Sequence, residues 1–300
     1  MLIYPLYSNG RRVKAIMPAQ WLSGKLLSDQ IQDDLQKSIH ETLMQGHRAP
    51  KLTVILIGDD AASQIYVNHK IKACERTGIL SELKRFDSLI SEKDLLSIIH
   101  QLNQDENTDG ILVQMPLPSH ISKEKIIENI DPAKDVDGFH PFNLGKLAQG
   151  HPLLRSCTPF GIIKLLKHYN INLRGIHAVI LGSSTIVGRP LMLELLNAGS
   201  TVTLCNSKTL NLAAHVKNAD LVISATGKRG VVESDWIKTG AVIVDVGIHR
   251  LDNNKICGDL DTESLIDKVS FMTPVPGGVG PMTVAVLLEN TYVAYQRNKS

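Results

Sequence analysis

The sequence has no long run of basic residues, and its formal net charge is +2. Phosphate contacts to nucleic acid need a concentrated basic face, which this pattern does not provide. No apolar run approaches the roughly 20 residues that a helix needs to cross a bilayer. We therefore expect a protein that binds neither nucleic acid nor a membrane. The sequence does not exclude a small local site for an anion.

Paired cysteines and clustered metal ligands are also missing. The four cysteines form no C-x-x-C pair, and they stand far apart at Cys74, Cys157, Cys205 and Cys257. Scattered cysteines of this kind are typical of reduced core thiols in a cytosolic protein. Without clustered histidines and carboxylates, no metal site is predicted.

At the N-terminus, the apolar residues precede the basic ones, which is the reverse of a secretory signal. We interpret residues 1–17 as an extension without an assigned role. Together with the unpaired cysteines, this pattern predicts a cytoplasmic protein.

The chain does contain a regular alternation of short, β-branched apolar runs with amphipathic segments. Its 300 residues, 43% of them hydrophobic, suffice for two domains. Strands are predicted at residues 52–57, 79–86 and 110–115, and helices at 22–45, 62–77, 92–102 and 122–130. This alternation predicts a parallel sheet covered on both faces.

From residue 131 to 159 the sequence becomes rich in proline, aspartate and glycine, and DPAKDVDGFHPFN is interpreted as loop. After a helix at 159–169, further strands are predicted at 177–181, 201–205, 221–225 and 241–246. The predicted fold is therefore two α/β domains around a cleft, the second of Rossmann type. Residues 18–140 with 282–300 would form the first domain and 141–281 the second, with the final helix, residues 281–297, returning to the first.

A nucleotide-binding turn is predicted within AVILGSSTIVGRP. Gly182 ends an apolar strand, Ser183 and Ser184 follow, and a helix begins near Gly188. Free amides and the helix dipole at that end favour a pyrophosphate. The pattern G-x-S-x-x-V-G departs from G-x-G-x-x-G, so a glycine-closed turn without ligand is the alternative; the alternating context favours nucleotide binding.

The end of the next strand indicates which cofactor binds. NAD-binding folds place an acidic residue there for the ribose hydroxyls, whereas this chain has Cys205-Asn206-Ser207-Lys208-Thr209. The hydroxyl of Ser207 beside the ammonium of Lys208 suits a 2′-phosphate, which predicts NADP. The alternative is a solvated turn with an exposed lysine.

Several polar residues of the first predicted domain are candidates for catalysis. Tyr66 and Lys70 share one helix face at a spacing of four, although a core tyrosine beside a surface lysine is the commoner meaning of this spacing. Gln114 closes the strand GILVQ and either caps a loop or points into the cleft. Asp135 and Asp137 in KDVDG are by themselves typical of turn-forming aspartates.

The segment TPVPGGVGPMT, residues 273–283, contains too much proline and glycine for the interior of a helix or strand. A simple linker would be more polar. We therefore interpret it as a rigid cleft wall that contacts ligand.

Five of these motifs occur together, in order: SQIYVNHK, GILVQMPLP, KDVDGFHP, GSSTIVGRP and TPVPGGVGPMT. From about residue 18 to the C-terminus, the chain strongly resembles the bifunctional methylenetetrahydrofolate dehydrogenase/methenyltetrahydrofolate cyclohydrolases. The resemblance implies NADP-dependent oxidation of 5,10-methylenetetrahydrofolate and hydrolysis of the methenyl product to 10-formyltetrahydrofolate. It also implies a homodimer and a role in one-carbon metabolism that supplies purine biosynthesis.

The resemblance further implies roles for single residues. Lys70 would be the catalytic lysine, aided by Tyr66 and Gln114, and Asp137 would hold the pterin ring. Those three partners of the lysine would also bind substrate, with a pocket wall from Pro276, Gly277 and Gly278. The cofactor would contact Gly182, Ser183, Ser184, Ser207, Lys208 and Ile248. Ser23 and Ser156 depart from the family, which often has aspartate and proline there.

Three other functions remain open from the sequence. A dehydrogenase without cyclohydrolase activity would keep the same motifs. A short-chain-type reductase would need its Tyr-x-x-x-Lys pair inside the nucleotide domain, where this chain does not have it. A non-enzymatic NADP-sensing module would give no role to the polar candidate residues of the first predicted domain.

Overall fold

A computed structural model describes residues 7–8, 11–12 and 18–298 of the chain. Most of the predicted extension, residues 1–17, lies outside the described residues. The strands are β1 Tyr7–Ser8, β2 Arg11–Arg12, β3 Gln20–Trp21, β4 Lys51–Ile57, β5 Leu80–Phe86, β6 Gly110–Val113, β7 His177–Leu181, β8 Thr201–Cys205, β9 Leu221–Ser224, β10 Val242–Asp245, β11 His249–Arg250, β12 Ile256–Cys257 and β13 Phe271–Met272. The helices are α1 Gly24–Met44, α2 Ala61–Thr77, α3 Glu92–Gln104, α4 Lys123–Asn129, α5 Pro141–Ala148, α6 Cys157–His168, α7 Gly188–Asn197, α8 Leu212–Lys217, α9 Thr262–Leu265 and α10 Val279–Asn298.

The smaller sheet has three parallel strands in the order β5-β4-β6. Side chains of the central strand alternate between two apolar layers, because successive residues of a strand face opposite sides. Val54 and Leu56 pack with residues of α1, α2 and α10, whereas Ile55 and Ile57 pack with α3 and α4. This double burial explains why β4 is apolar at nearly every position and confirms the predicted covered sheet.

The larger sheet has six strands, all parallel, in the order β3-β13-β10-β9-β7-β8. Ala178 and Ile180 of β7 pack with α6 and α7, while Val179 and Leu181 pack with α8 and α9. The strand order reverses beside β7, since β8 lies on one side of it and β9 on the other. In open α/β sheets, a ligand binds at the carboxyl edge at such a reversal.

The C-terminal helix α10 returns to the smaller sheet, as the sequence predicts. Val286 and Leu288 of α10 join the apolar layer of β4. The helix is also tied to α6 by an ion pair of 2.8 Å between Lys164 and Glu289. No helix among the described residues is long and apolar enough to cross a membrane.

Two segments differ from the sequence prediction. Helix α5 lies where loop was expected. Pro141 stands in its first turn, where the backbone amide has no partner within the helix, so proline is tolerated there. His140 Nδ1 caps the helix by accepting the Phe142 amide at 3.0 Å. Likewise, the last residues of TPVPGGVGPMT form the start of α10, because Pro281 lies in a first turn that tolerates proline. Local composition underestimated helix at both places.

Candidate active site

Lys70 and Gln114 meet at the carboxyl end of the smaller sheet. Lys70 lies on α2, and its Nζ donates to Gln114 Oε1 at 3.0 Å. Gln114 follows β6 directly, and its Nε2 donates to the Met115 carbonyl at 2.7 Å. This second bond fixes the orientation of the amide, so that its oxygen faces the ammonium. The structure therefore joins two predicted residues that are distant in sequence.

Tyr66 lies one turn before Lys70, on the same face of α2. It remains 41% exposed, and partial burial raises the pKa of its hydroxyl. Helix α2 is held at its start by Asp60, whose carboxylate accepts the Ser63 amide at 2.7 Å. The tyrosine is thus placed beside the lysine with a surface open to a ligand.

The two aspartates of KDVDG have different surroundings. Asp135 is buried and accepts hydrogen bonds from the amides of Phe139 and His140 and from the Asn143 side chain. It therefore folds the loop, as its motif alone suggests. Asp137 is half-buried, and among the described residues no hydrogen bond reaches its carboxylate. Asp137 is consequently the one of the pair that is free to bind a ligand.

The charge state of Asp137 depends on its neighbours. Burial raises the pKa of its carboxyl to about 6, and the positive charge of Lys70 opposes this rise. Asp135 contributes a smaller upward effect. Lys70 is therefore near enough to Asp137 for their charges to interact, which places the aspartate in the neighbourhood of the Lys70–Gln114 pair.

The backbone around Asp137 is held by contacts that the local sequence pattern does not reveal. Gly138 adopts φ +70°, and a Cβ there would overlap the backbone of Arg155 and Ser156. Ser156 Oγ donates to the Gly138 carbonyl at 2.7 Å, and Asn290 Nδ2 donates to the Val136 carbonyl at 2.8 Å. Ser156, which departs from the family pattern, thus adds a bond one residue from the candidate ligand-binding carboxylate.

The glycine-rich loop packs against the start of α1. A Cβ on Gly24 would overlap the Gly278 carbonyl, and the Lys25 amide donates to the Gly277 carbonyl at 2.9 Å. The other departure, Ser23, caps α1 by accepting the Leu26 amide at 3.5 Å. These contacts fix the loop against the start of α1; that Pro276 and the two glycines form a wall in contact with substrate stays a prediction.

The predicted nucleotide turn joins β7 to α7 at the strand-order reversal. Gly182 adopts φ +109°, and a Cβ there would overlap the Ala225 carbonyl. Ser184 is exposed, and its Oγ accepts the Val187 amide at 3.2 Å. The turn and Ser183 thus lie open beside the first turn of a ten-residue helix, which is the arrangement that favours a pyrophosphate.

The remaining candidate cofactor contacts lie at the same edge of the larger sheet. Ser207 and Lys208 are exposed just after β8, and Ile248 is 51% exposed just after β10. Arg189, which the sequence analysis missed, is an exposed residue of α7 whose Nε donates to the Ser183 carbonyl at 3.2 Å. Its place in the first turn after the glycine motif was the signal available in the sequence.

Comparisons with known proteins agree with this arrangement. Residues 22–137 match the family description "Tetrahydrofolate dehydrogenase/cyclohydrolase, catalytic domain", and residues 156–299 match its NAD(P)-binding domain. The chain is 50% identical over 281 residues to the "Bifunctional protein FolD" of Legionella pneumophila, covering 94% of this chain and 99% of that protein.

Solved structures are equally similar. The bifunctional enzyme FolD of Campylobacter jejuni aligns with TM-score 0.91 and 49% identity over 93% of this chain and 99% of that one. The Trypanosoma brucei dehydrogenase-cyclohydrolase, solved with NADP cofactor and inhibitor, aligns with TM-score 0.90 and 33% identity over 94% and 98% of the two chains. The chain therefore belongs to the tetrahydrofolate dehydrogenase/cyclohydrolase family.

Proposed function

We propose that this protein oxidises 5,10-methylenetetrahydrofolate with NADP and hydrolyses the methenyl product to 10-formyltetrahydrofolate. The observation that carries this proposal is the bond between Lys70 Nζ and Gln114 Oε1, beside the free carboxylate of Asp137. The same chain carries an open nucleotide turn at Gly182 on its second sheet. One protein therefore offers groups for both reactions.

For the oxidation, the protein mainly positions the reactants. Bound NADP would supply the hydride acceptor, and loss of hydride from the methylene carbon would leave a methenyl cation stabilised by two folate nitrogens. No hydroxyl proton leaves the substrate, so no proton relay is needed. Asp137 would hold the pterin and the turn at Gly182 would hold the pyrophosphate, and together they would bring the reacting carbons close to each other.

For the hydrolysis, protons must move. Water adds to the methenyl carbon and loses one proton, which leaves a hydroxyl on that carbon. The hydroxyl then loses its proton as the formyl C=O forms, while one C–N bond breaks and its nitrogen gains a proton. Lys70 can carry these transfers, because its amine is held by Gln114 at a fixed place in the cleft. Tyr66 on the same helix face would orient the substrate or the attacking water.

The preference for NADP would come from a hydroxyl group and two basic side chains at the carboxyl edge of the larger sheet. Ser207 and Lys208 follow β8, where NAD-binding folds place a carboxylate, and the exposed Arg189 stands on the neighbouring helix. We propose that the 2′-phosphate binds among these side chains, with Ser207 as a donor and the cations as charge partners.

Lys208→Ala is expected to raise KM for NADP about tenfold, because one charge-assisted contact to phosphate is lost. KM for NAD, which has no 2′-phosphate, should stay unchanged. Steady-state oxidation with both cofactors measures this selectivity, and Lys217→Ala, an exposed lysine at the end of α8, serves as the control. An equal change for both cofactors would contradict the assignment of Lys208.

The function itself is tested by supplying purified protein with 5,10-methylenetetrahydrofolate and NADP, and following NADPH and methenyl-folate absorbance together. We expect NADPH to appear while methenyl-folate stays low and 10-formyltetrahydrofolate accumulates. Persistent methenyl-folate would mean a dehydrogenase without hydrolase activity. Absence of turnover with either NADP or NAD would reject the proposed enzyme.

We propose a homodimer in the cytoplasm whose 10-formyl product supplies purine biosynthesis. We also propose that residues 18–140 with 282–300 bind folate and that residues 141–281 bind NADP. One detail of the structure crosses this division, because β3 pairs with β13 at the edge of the larger sheet.

A further inference from the structure

Two loops flank the nucleotide turn at the carboxyl edge of the larger sheet. The first, residues 225–227, follows β9 and touches the turn directly, since a Cβ on Gly182 would overlap the Ala225 carbonyl. The second, residues 247–249, follows β10 and carries the exposed Ile248. Both lie on the β9 side of the strand-order reversal, opposite Ser207 and Lys208. They are therefore placed to border the nicotinamide half of a bound dinucleotide.

One buried carboxylate holds both loops. Asp259 is 3% exposed, and its Oδ2 accepts the amide and the hydroxyl of Thr226 at 3.0 and 2.9 Å and the Gly227 amide at 3.2 Å. The same oxygen accepts Ser224 Oγ at 2.9 Å. Its Oδ1 lies 2.7 Å from His249 Nε2, which must donate because a carboxylate can only accept.

Asp259 is itself fixed by a second buried carboxylate. Asp245 accepts the amides of Gly247, Asp259 and Leu260 at 2.9, 3.0 and 2.8 Å. The packing is reciprocal, because a Cβ on Gly247 would overlap the Asp259 carboxylate and a Cβ on Gly258 would overlap that of Asp245. Each aspartate thus fills the space left by the other segment's glycine.

The hydrogen bonds keep Asp259 charged. Burial raises the pKa of its carboxyl, but the bonds from His249, Ser224 and Thr226 outweigh this effect and leave the pKa below its ordinary value. A buried charge with this many donors is held firmly, because each lost bond would leave polar groups unsatisfied. The two loops are consequently braced against one fixed point.

We propose that Asp259 is a positioning residue for hydride transfer, which braces residues 225–227 and 247–249 so that they align the nicotinamide half of NADP. This inference rests on the proposed dehydrogenase function. The carboxylate does not touch the reacting atoms; it acts through Thr226, Gly227 and His249. Cyclohydrolase chemistry at Lys70 lies on the other sheet and should not depend on it.

The test compares NADP-dependent oxidation with hydrolysis in the same variant. In Asp259→Ala, kcat for NADP-dependent oxidation is expected to fall about 100-fold, since misplacement of bound reactants by about 1 Å has effects of this size. KM for NADP should change much less, because the pyrophosphate and adenosine sites remain. Hydrolysis of preformed methenyltetrahydrofolate, measured without cofactor in the same preparation, should be unchanged and also reports folding.

Three further variants sharpen the result. Asp259→Asn should largely rescue oxidation, because its amide oxygen can still accept from Thr226 and its nitrogen can donate to a neutral His249. His249→Leu removes a single hydrogen bond to Asp259 from a partly exposed residue, and it replaces Asp259→Ala as the test if the alanine variant does not fold. It should lower the rate of oxidation and leave hydrolysis unchanged. Asp220→Asn, an aspartate at the opposite edge of the sheet that is bonded to Lys238, is the control.

The outcomes separate the two proposals. Unchanged oxidation in Asp259→Ala, or in His249→Leu where the alanine variant does not fold, would overturn the positioning role. So would a parallel loss of both activities in His249→Leu. If the unaltered protein fails to oxidise 5,10-methylenetetrahydrofolate with NADP, it is instead the proposed function that fails.

Discussion

Lys70→Met is expected to abolish cyclohydrolase activity, with a fall of about 10²–10⁴-fold, the usual contribution of a general acid–base group. Methionine keeps an unbranched apolar stem, one atom shorter than the side chain of lysine, but has no transferable proton, so water addition and C–N cleavage lose their transfer group. Oxidation should persist, since it moves a hydride and needs no proton from the protein. Hydrolysis of methenyltetrahydrofolate, followed by absorbance, and NADPH formation measure the two activities separately.

Lys72→Met is the matched control for this prediction. Lys72 lies on the same helix, two residues further on, and is exposed on another face. The control should retain both activities. Hydrolysis that survives in Lys70→Met would remove the lysine from the mechanism and leave Tyr66 as the next group to examine.

Asp137→Asn is expected to raise KM for the folate substrate more than tenfold, because charge-assisted hydrogen bonds to the pterin become neutral ones. Thermal stability should not fall with it. The carboxylate of Asp137 has a raised pKa in the folded protein, so its charge costs stability at neutral pH, and the neutral amide removes that cost. Steady-state kinetics and thermal denaturation together test this prediction.

The same carboxylate predicts a pH effect. Its pKa of about 6 lies above the ordinary value, so the ionised, binding form is lost as pH falls through about 6. KM for folate should therefore rise below this pH in the unaltered protein and stay flat in Asp137→Asn. The exposed Asp267, replaced by asparagine, is the control; a tenfold rise in KM there, or a lower melting temperature in Asp137→Asn, would contradict the assignment.

Much of the site could be predicted from sequence because its residues follow strands and helices at readable places. Helical spacing places Tyr66 and Lys70 on one face, and Gln114 stands at the end of a parallel strand, where ligands gather. The two aspartates of KDVDG look alike in sequence. Distinguishing them required the structure, since the carboxylate of Asp135 accepts bonds from residues later in the chain, while that of Asp137 accepts none among the described residues.

Other features have no local signal. Strands β3 and β13 are two residues long each and pair across the whole chain, so no periodicity could identify them. The same is true of Gly24, whose missing Cβ makes room for the Gly278 carbonyl. Asp259 stands in an ordinary turn sequence, and its bonds to Thr226 and His249 exist only after the sheet has formed. Tertiary contacts, which local patterns do not encode, account for these omissions.

The return of α10 has a consequence for how the protein is made. Synthesis proceeds from the N-terminus, so β4 with Val54 and Leu56 leaves the ribosome long before the helix that covers it. Likewise, β3 has no partner strand until β13 has been synthesised. Both apolar layers that α10 covers stay incomplete until nearly the last residue has been added. The nascent chain therefore carries uncovered apolar surface throughout its synthesis, and a stop codon ahead of α10 would leave both cores open at once.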